Sequence, residues 1–192
     1  MTQRRTAFAR RAAIALLFAS PAFCAVPAFA NIAEEQVAAL SPGDYVWQPH
    51  LAQSGAVEVV VSIPQQLAYV FRGGTLIGVS TVSTGKAGND TPTGSFEILQ
   101  KRREHYSNLY NNAPMPFMQR LTWDGIALHA GEIPGYPASH GCVRLPTAFA
   151  RSLFAVTSVG AEVHIVDAAP SSARAALDIA RGSGARYAGG SD

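Results

Sequence analysis

Between Ala56 and Val166 the apolar positions fall in short runs separated by turn residues, the pattern of a mostly β domain. Val57–Ile63 (VEVVVSI) is dense in β-branched side chains, which suit a pleated surface. Pro64-Gln65 interrupts it, Leu67–Phe71 resumes, Gly73-Gly74 supplies a tight hairpin turn, and Leu76–Ser83 returns. Gly85–Gly94 (GKAGNDTPTG) reads as a loop shaped by Pro92 and Gly94, followed by a strand over Ser95–Gln100. That loop is not a phosphate cradle, because no G-K-[ST] precedes a helix. Lys101–Arg120 has no clean period and carries Asn111-Asn112, Pro114 and Pro116. An irregular stretch of this length inside a domain is usually functional, so a substrate-facing loop containing a short helix is expected. Ile126–His129 is a short strand, and Glu162–Val166 closes the domain as another.

One helix stands out. Over Pro146–Thr157, Phe149, Leu153 and Val156 share a stripe, and Gly160 is placed to end it. Ser171–Arg181 is a weaker amphipathic candidate, and Gly182–Asp192 reads as a disordered tail. In the lead-in, residues 31–56, Ile32–Leu40 suggests a short helix stopped by Pro42-Gly43, and Tyr45-Val46-Trp47 packs onto the domain. The expected fold is therefore an antiparallel β-sandwich or barrel-like domain over residues 57–167, with one main helix after Cys142 and a weakly helical, then disordered tail over 168–192.

Residues 1–30 have a different texture. Arg4, Arg5, Arg10 and Arg11 precede an apolar run, Ala12–Ala19, and Ala28-Phe29-Ala30 precedes Asn31. That is the layout of a secretory signal peptide; Pro21 and Pro27 break the run too often for a membrane span, and no polar face supports an amphipathic helix. The arginine pairs are compatible with general or twin-arginine export. Cys24 follows Phe23 rather than a small residue, which argues against lipid attachment there. Cleavage takes 15 basic residues to 11 against 13 acidic ones, a net charge of −2 in place of +2. A basic surface for nucleic acid is thereby excluded. Composition (48% hydrophobic, 15% charged) calls for a packed core. Cys24 leaves too, so the exported chain keeps Cys142 alone, without a disulfide partner, in an oxidising compartment. It reads as a working thiol.

The surroundings of Cys142 agree. Ser139-His140-Gly141-Cys142-Val143-Arg144 follows a Gly/Pro-rich loop, and His129 lies thirteen positions upstream of the cysteine. A neighbouring imidazole can bring a thiol pKa from about 8.5 down to between ~3.5 and ~7.5, which makes Cys142 the candidate nucleophile and His129 the general base. Gly141 lacks a β-carbon, so a substrate carbonyl can approach the N–H groups of Gly141 and Cys142, each such oxyanion donor being worth about 2.7–4 kcal/mol. His140 shares Cys142's side of an extended run and orients the loop or holds a backbone carbonyl. Arg144 is either an anion clamp or half of an ion pair. Ser139, and Tyr106 and Met115 of the irregular segment, are further substrate-binding candidates. His164 in EVHIV reads as a satisfied core residue, and His50 and His105 as surface or loop residues. His129, His140 and Cys142 also make a possible zinc set, but the H-E-x-x-H and C-x-x-C spacings are absent.

These residues resemble the signature of the L,D-transpeptidases of the bacterial cell envelope, an upstream histidine followed by S-H-G-C-x-[RN]. Ile126–His129 and Ser139–Arg144 carry it; a glutamine at 65 or 66, Ser80–Gly85 (STVSTG), Thr91–Gly94 (TPTG) and Ala113–Phe117 (APMPF) are similar to further landmarks. The resemblance covers roughly Val57–Asp167. It implies Cys142 as nucleophile, His129 as proton acceptor and donor, and the Ala130 carbonyl in the third place of the triad. It also implies peptidoglycan stem peptides as substrate, a 3→3 cross-link as product, no cofactor, carbapenem-type β-lactams as acylating inhibitors, and a periplasmic or secreted location. Ser139 follows His129 by only ten positions, a shorter covering loop than in many members. That leaves transfer and hydrolysis, as in a carboxypeptidase or cross-link-cleaving amidase, both open.

Overall fold

The computed structural model describes residues 32–107 and 112–182. In chain order the elements are α1 (Glu34–Ala38), β1 (Tyr45–Trp47), β2 (Val57–Ser62), β3 (Leu67–Arg72), β4 (Thr75–Thr81), β5 (Gly94–Glu97), β6 (Gln100–Arg102), β7 (Met118–Arg120), β8 (Ala127–Ala130), β9 (Val143–Leu145), α2 (Thr147–Val156), β10 (Glu162–Val166) and α3 (Ala173–Gly182). They build a six-stranded sheet, β1-β4-β3-β2-β10-β5, and a four-stranded sheet, β6-β7-β8-β9. Residues 1–31, where a signal peptide is expected, and the expected disordered tail beyond Gly182 lie outside the described residues.

The unbroken Val59-Val60-Val61 run has a simple cause: the large sheet is buried on both faces. Val59, Val61, Val70 and Ile165 meet Leu128 and Leu145 of the small sheet and Phe149 and Leu153 of α2. On the opposite face Val60, Tyr69, Phe71 and Val79 meet Ile32 and the Ala176, Leu177 and Ala180 stripe of α3. The lead-in supplies edge strand β1, whose Trp47 ring stands edge-on to Phe149 at a centroid distance of 5.4 Å.

The architecture is mostly β and sandwich-like, as expected, and neither sheet closes into a barrel. Both sheets are mixed: β10 runs parallel to β2 and β9 parallel to β8. Parallel neighbours need a long connection, and each pair has one. The expected strand over Ser95–Gln100 divides between the sheets as β5 and β6, with fully buried Ile98 at the crossing. The described part of Lys101–Arg120 holds turns and a Tyr106–Pro114 bridge but no helix. Helix α2 ends at Thr157, whose N–H bonds the Leu153 carbonyl, rather than at Gly160. No helix among the described residues is long and apolar enough to cross a membrane.

Lys101 on β6 closes the C-terminus of α2. Its Nζ donates to the carbonyls of Phe154 and Thr157, both at 2.7 Å, and lies 4.3 Å from the centre of the Phe154 ring. A cation there satisfies orphan carbonyls and the negative end of the helix together. Lys101→Met is expected to lower the unfolding free energy by about 1.5–3 kcal/mol, read from urea denaturation followed by circular dichroism. A midpoint equal to that of the wild type would show that Lys101 carries no such role.

Candidate active site

Strand register gathers the chemistry. In the β8–β9 pair Leu128 opposes Val143 and His129 opposes Arg144, so the fully buried Leu128 and Val143 face the core. By alternation Ala127 and His129, and Cys142 and Arg144 beside them, present the other face. That face is one wall of a cleft of about 490 Å³, whose lining includes Cys142, His129, His140, Arg144 and Met115.

His129 is buried and its Nδ1 lies 2.8 Å from the Ala130 carbonyl oxygen. A carbonyl only accepts, so Nδ1 carries the proton and Nε2 carries the lone pair. The Ala130 peptide is held from its other side as well: its N–H donates to Pro116 at 2.8 Å, and the next N–H, of Gly131, donates to Leu145 at 2.9 Å. Pro116 belongs to the APMPF segment, where Phe117 adopts φ +56, a left-handed conformation unusual for an aromatic residue. Burial holds the His129 pKa down to about 4; the Ala130 bond raises it, while Arg144 and His105 push it lower. The imidazole is therefore neutral at pH 7 and able to accept a proton.

Cys142 sits in a turn fixed by its neighbours. Gly141 has φ +112, and a β-carbon there would come within 2.9 Å of Ile126 Cδ1, so glycine is required. Ser139 is buried; its Oγ accepts the Gly141 N–H at 3.1 Å and donates to the Cys142 carbonyl at 2.5 Å. Behind the turn, Thr91 Oγ1 donates to the Gly141 carbonyl at 2.8 Å and accepts the Gly85 N–H at 2.7 Å. Gly85 also has no room for a β-carbon, which would lie 2.0 Å from the Asn89 carbonyl oxygen. Backbone bonds run both ways between Ser83 and Arg144, and the Ala138 and Ser139 N–H groups donate to Thr84. The Gln66 side chain in turn accepts the Thr84 N–H and donates to Thr84 Oγ1 and the Ile63 carbonyl. The STVSTG and TPTG segments are thus the buttress of the cysteine turn.

Several sequence expectations change. The Gly141 N–H is engaged by Ser139, which leaves the Cys142 N–H as the remaining oxyanion donor of the two. Ser139 borders the cleft, but it is buried and its hydroxyl is bonded twice within the turn. Tyr106 is exposed and absent from the cleft lining, while its neighbours His105 and Ser107 are part of it. The Cys142 thiol donates to the Gly125 carbonyl at 3.3 Å instead of to His129, so proton transfer needs a rotation of the thiol within the cleft. Its pKa is pushed up by burial, with the Ala127 backbone N–H and the charges of Arg144 and Arg120 pulling the other way. The resting pair is a neutral thiol and a neutral imidazole, not the lowered thiol that two nearby histidines suggest. Met115 packs with Met118 and Ala127 against Cys142 as an apolar floor. Among the described residues no carboxylate pairs with Arg144, whose stem packs on Gly131.

His105, expected on the surface or in a loop, lines the cleft, as do Arg120 and Trp123, which the sequence did not single out, and Asp124 and Glu132, which it offered only as further ligands of a zinc set. Thr122 hydrogen-bonds Asp124 in the β7–β8 turn that carries the Gly125 carbonyl, and Arg120 lies 5.6 Å from the ring of Trp123, which is 72% exposed at the rim. An exposed tryptophan next to a short strand was the available signal.

The L,D-transpeptidase catalytic-domain family matches the chain over residues 56–165. Similar solved structures include an L,D-transpeptidase from Stackebrandtia nassauensis, 28% identical with a TM-score of 0.55, the match covering 63% of this chain and 60% of that one. Another, from Xylanimonas cellulosilytica, is 26% identical with a TM-score of 0.53, covering 59% and 62%. A third, the L,D-transpeptidase LdtMt1 in complex with imipenem, is 26% identical with a TM-score of 0.54, covering 58% and 59%. The matches thus span about three-fifths of the length of these structures. No curated protein sequence matches the chain.

The electrostatics set a measurable order of events. Alkylation of Cys142 by iodoacetamide, followed by peptide mass spectrometry, is expected to rise with pH about a midpoint above the ordinary thiol value of about 8.5. A midpoint near or below neutrality would mean a standing thiolate–imidazolium pair instead.

Proposed function

The chain belongs to the family of L,D-transpeptidase catalytic domains, and from that membership we propose that it is an exported acyltransferase acting on the tetrapeptide stems of peptidoglycan. The observation that carries this reading is the His129–Ala130 hydrogen bond of 2.8 Å, which turns a proton-accepting nitrogen toward the cleft wall that also holds Cys142. The Cys142 thiol passes its proton to His129 Nε2 as the sulfur attacks the carbonyl of the third stem residue. The bond to the terminal D-alanine breaks, and His129 returns the proton to the departing amine. A thioester remains on Cys142. The amine of a second stem attacks it, His129 takes the amine proton, and the thiol is restored with a 3→3 cross-link formed.

The Cys142 N–H faces the developing oxyanion, Met115 lies under the acyl chain, and Arg144, with no carboxylate partner among the described residues, holds a stem carboxylate. His140 orients the cleft side of the turn. Water in place of the second amine would give a tripeptide and make the protein a carboxypeptidase; the short run from Gly131 to Ser139 keeps that route accessible. The likeness to a structure solved with imipenem supports acylation of Cys142 by carbapenem-type β-lactams. Residues 1–30 act as a signal peptide in this reading and direct residues 31–192 to the periplasm, with 57–167 as the catalytic portion.

Incubation with purified tetrapeptide muropeptides is expected to yield cross-linked dimers and free D-alanine, with imipenem adding its mass to Cys142. Tripeptides without dimers would reassign the protein as a hydrolase. Cys142→Ala is expected to lose both products and the adduct, and His129→Ala to slow acylation by about 10²–10⁴-fold. Adduct formation at normal yield in Cys142→Ala would remove the mechanism.

Export has its own readout. Intact mass of the protein recovered from the periplasm should correspond to a chain beginning at Asn31, and retention of residues 1–30 would contradict the assignment.

A further inference from the structure

A second constellation lies away from the cleft, at the edge of the large sheet where β2, β10 and β5 adjoin. Glu162 on β10 is in register with Glu58 on β2 and with Glu97 on β5, which lines up three acidic positions across neighbouring strands. Carboxylates directly opposite one another repel, so the Glu58–Glu162 pair favours a cation between them. Arg181 of α3 supplies part of one: its guanidinium grips Glu58 with two bonds, at 2.6 and 3.2 Å. Glu162 has no such partner among the described ion pairs. Its nearest basic group is His164 Nε2, at 3.7 Å.

His164 is the unusual member. The side chain is only 8% exposed, its Nδ1 lies 2.8 Å from Ser95 Oγ, and its buried Nε2 makes no hydrogen bond. Ser95 holds the ring through Nδ1, and this sets Nε2, which no hydrogen bond engages, toward the Glu162 carboxylate at 3.7 Å. A histidine anchored through one nitrogen, with its other lone pair facing oxygen donors, is how metal-ligating histidines are held.

We propose that Glu58, Glu162 and His164 form a binding site for a divalent transition-metal ion of the zinc class. One donor atom from each lies within 4.8 Å of the other two. Bonds of about 2.1 Å in tetrahedral geometry place ligand atoms roughly 3.4 Å apart, so the site must tighten slightly. Glu162 is half-exposed and has the freedom to do so. Two carboxylates and a neutral imidazole match the charge of a divalent ion, and a water completes the coordination. Binding requires Glu58 to leave Arg181, so the ion competes with the contact that ties the end of α3 to β2. This site is independent of the chemistry assigned to Cys142.

The test is calorimetric titration of zinc chloride into the protein carrying Cys142→Ser, which removes the cleft thiol as a competing ligand. One saturable site per chain is expected, with Co²⁺ in place of zinc giving a tetrahedral visible spectrum free of thiolate charge transfer. Glu162→Gln, at a half-exposed position that leaves the fold intact, should abolish that site. Ser95→Ala should weaken it by about 10–100-fold. Arg181→Gln should tighten it, since the competitor for Glu58 is gone; a merely unspecific acidic surface would not respond in that direction. Absence of saturable binding, or binding unchanged in Glu162→Gln, would overturn the proposal.

Discussion

Leu128 and Val143 face each other across the parallel β8–β9 pair, both fully buried, and their pairing decides which side chains reach the cleft. Side chains alternate along a strand, so packing these two against the core turns His129, Cys142 and Arg144 outward together. A slip of one residue would send all three into the apolar interior and Leu128 into water. The pairing is short, three residues on β9, and is reinforced from outside itself. Ser83 and Arg144 exchange backbone bonds, Thr84 receives two N–H groups from the preceding loop, and Gln66 braces Thr84. The catalytic geometry is consequently a property of the sandwich as a whole, held at the seam between its two sheets.

Burial then sets the charge state. A dry position disfavours both the thiolate and the imidazolium, which leaves Cys142 and His129 neutral at pH 7. Oxidative damage follows thiolate character, so a thiol kept protonated is less exposed to it. The Ala130 carbonyl contributes in two ways, fixing the tautomer of His129 and favouring the imidazolium once it forms.

Much of this was legible in the residues. The β-branched run at Val57, the Gly73-Gly74 hairpin, the helix after Pro146 and the placement of His129 and Cys142 on one cleft all have local signatures, because period, turn chemistry and motif spacing are short-range. Strand β9 was not legible: three residues with Arg144 in the middle carry no period, and only the partner strand makes them a strand. The same holds for parallel β10, whose direction depends on a neighbour more than a hundred positions earlier. The thiol's environment was misjudged for a related reason. Sequence displays the histidines beside Cys142 but not the depth of the groove, and depth controls the shift. In the irregular segment Tyr106 is exposed, while its neighbours His105 and Ser107, without any motif, line the cleft.

Helix α3 and the lead-in residue Ile32 lie outside the segment matched by the family, yet together they cover the outer face of the large sheet, α3 with Ala176, Leu177 and Ala180. A recombinant fragment trimmed to the homologous segment would carry Val60, Tyr69, Phe71 and Val79 uncovered, a flat oily panel of the kind that drives insolubility. The boundary useful for producing this protein is therefore set by what shields the sheet rather than by where recognisable ancestry stops.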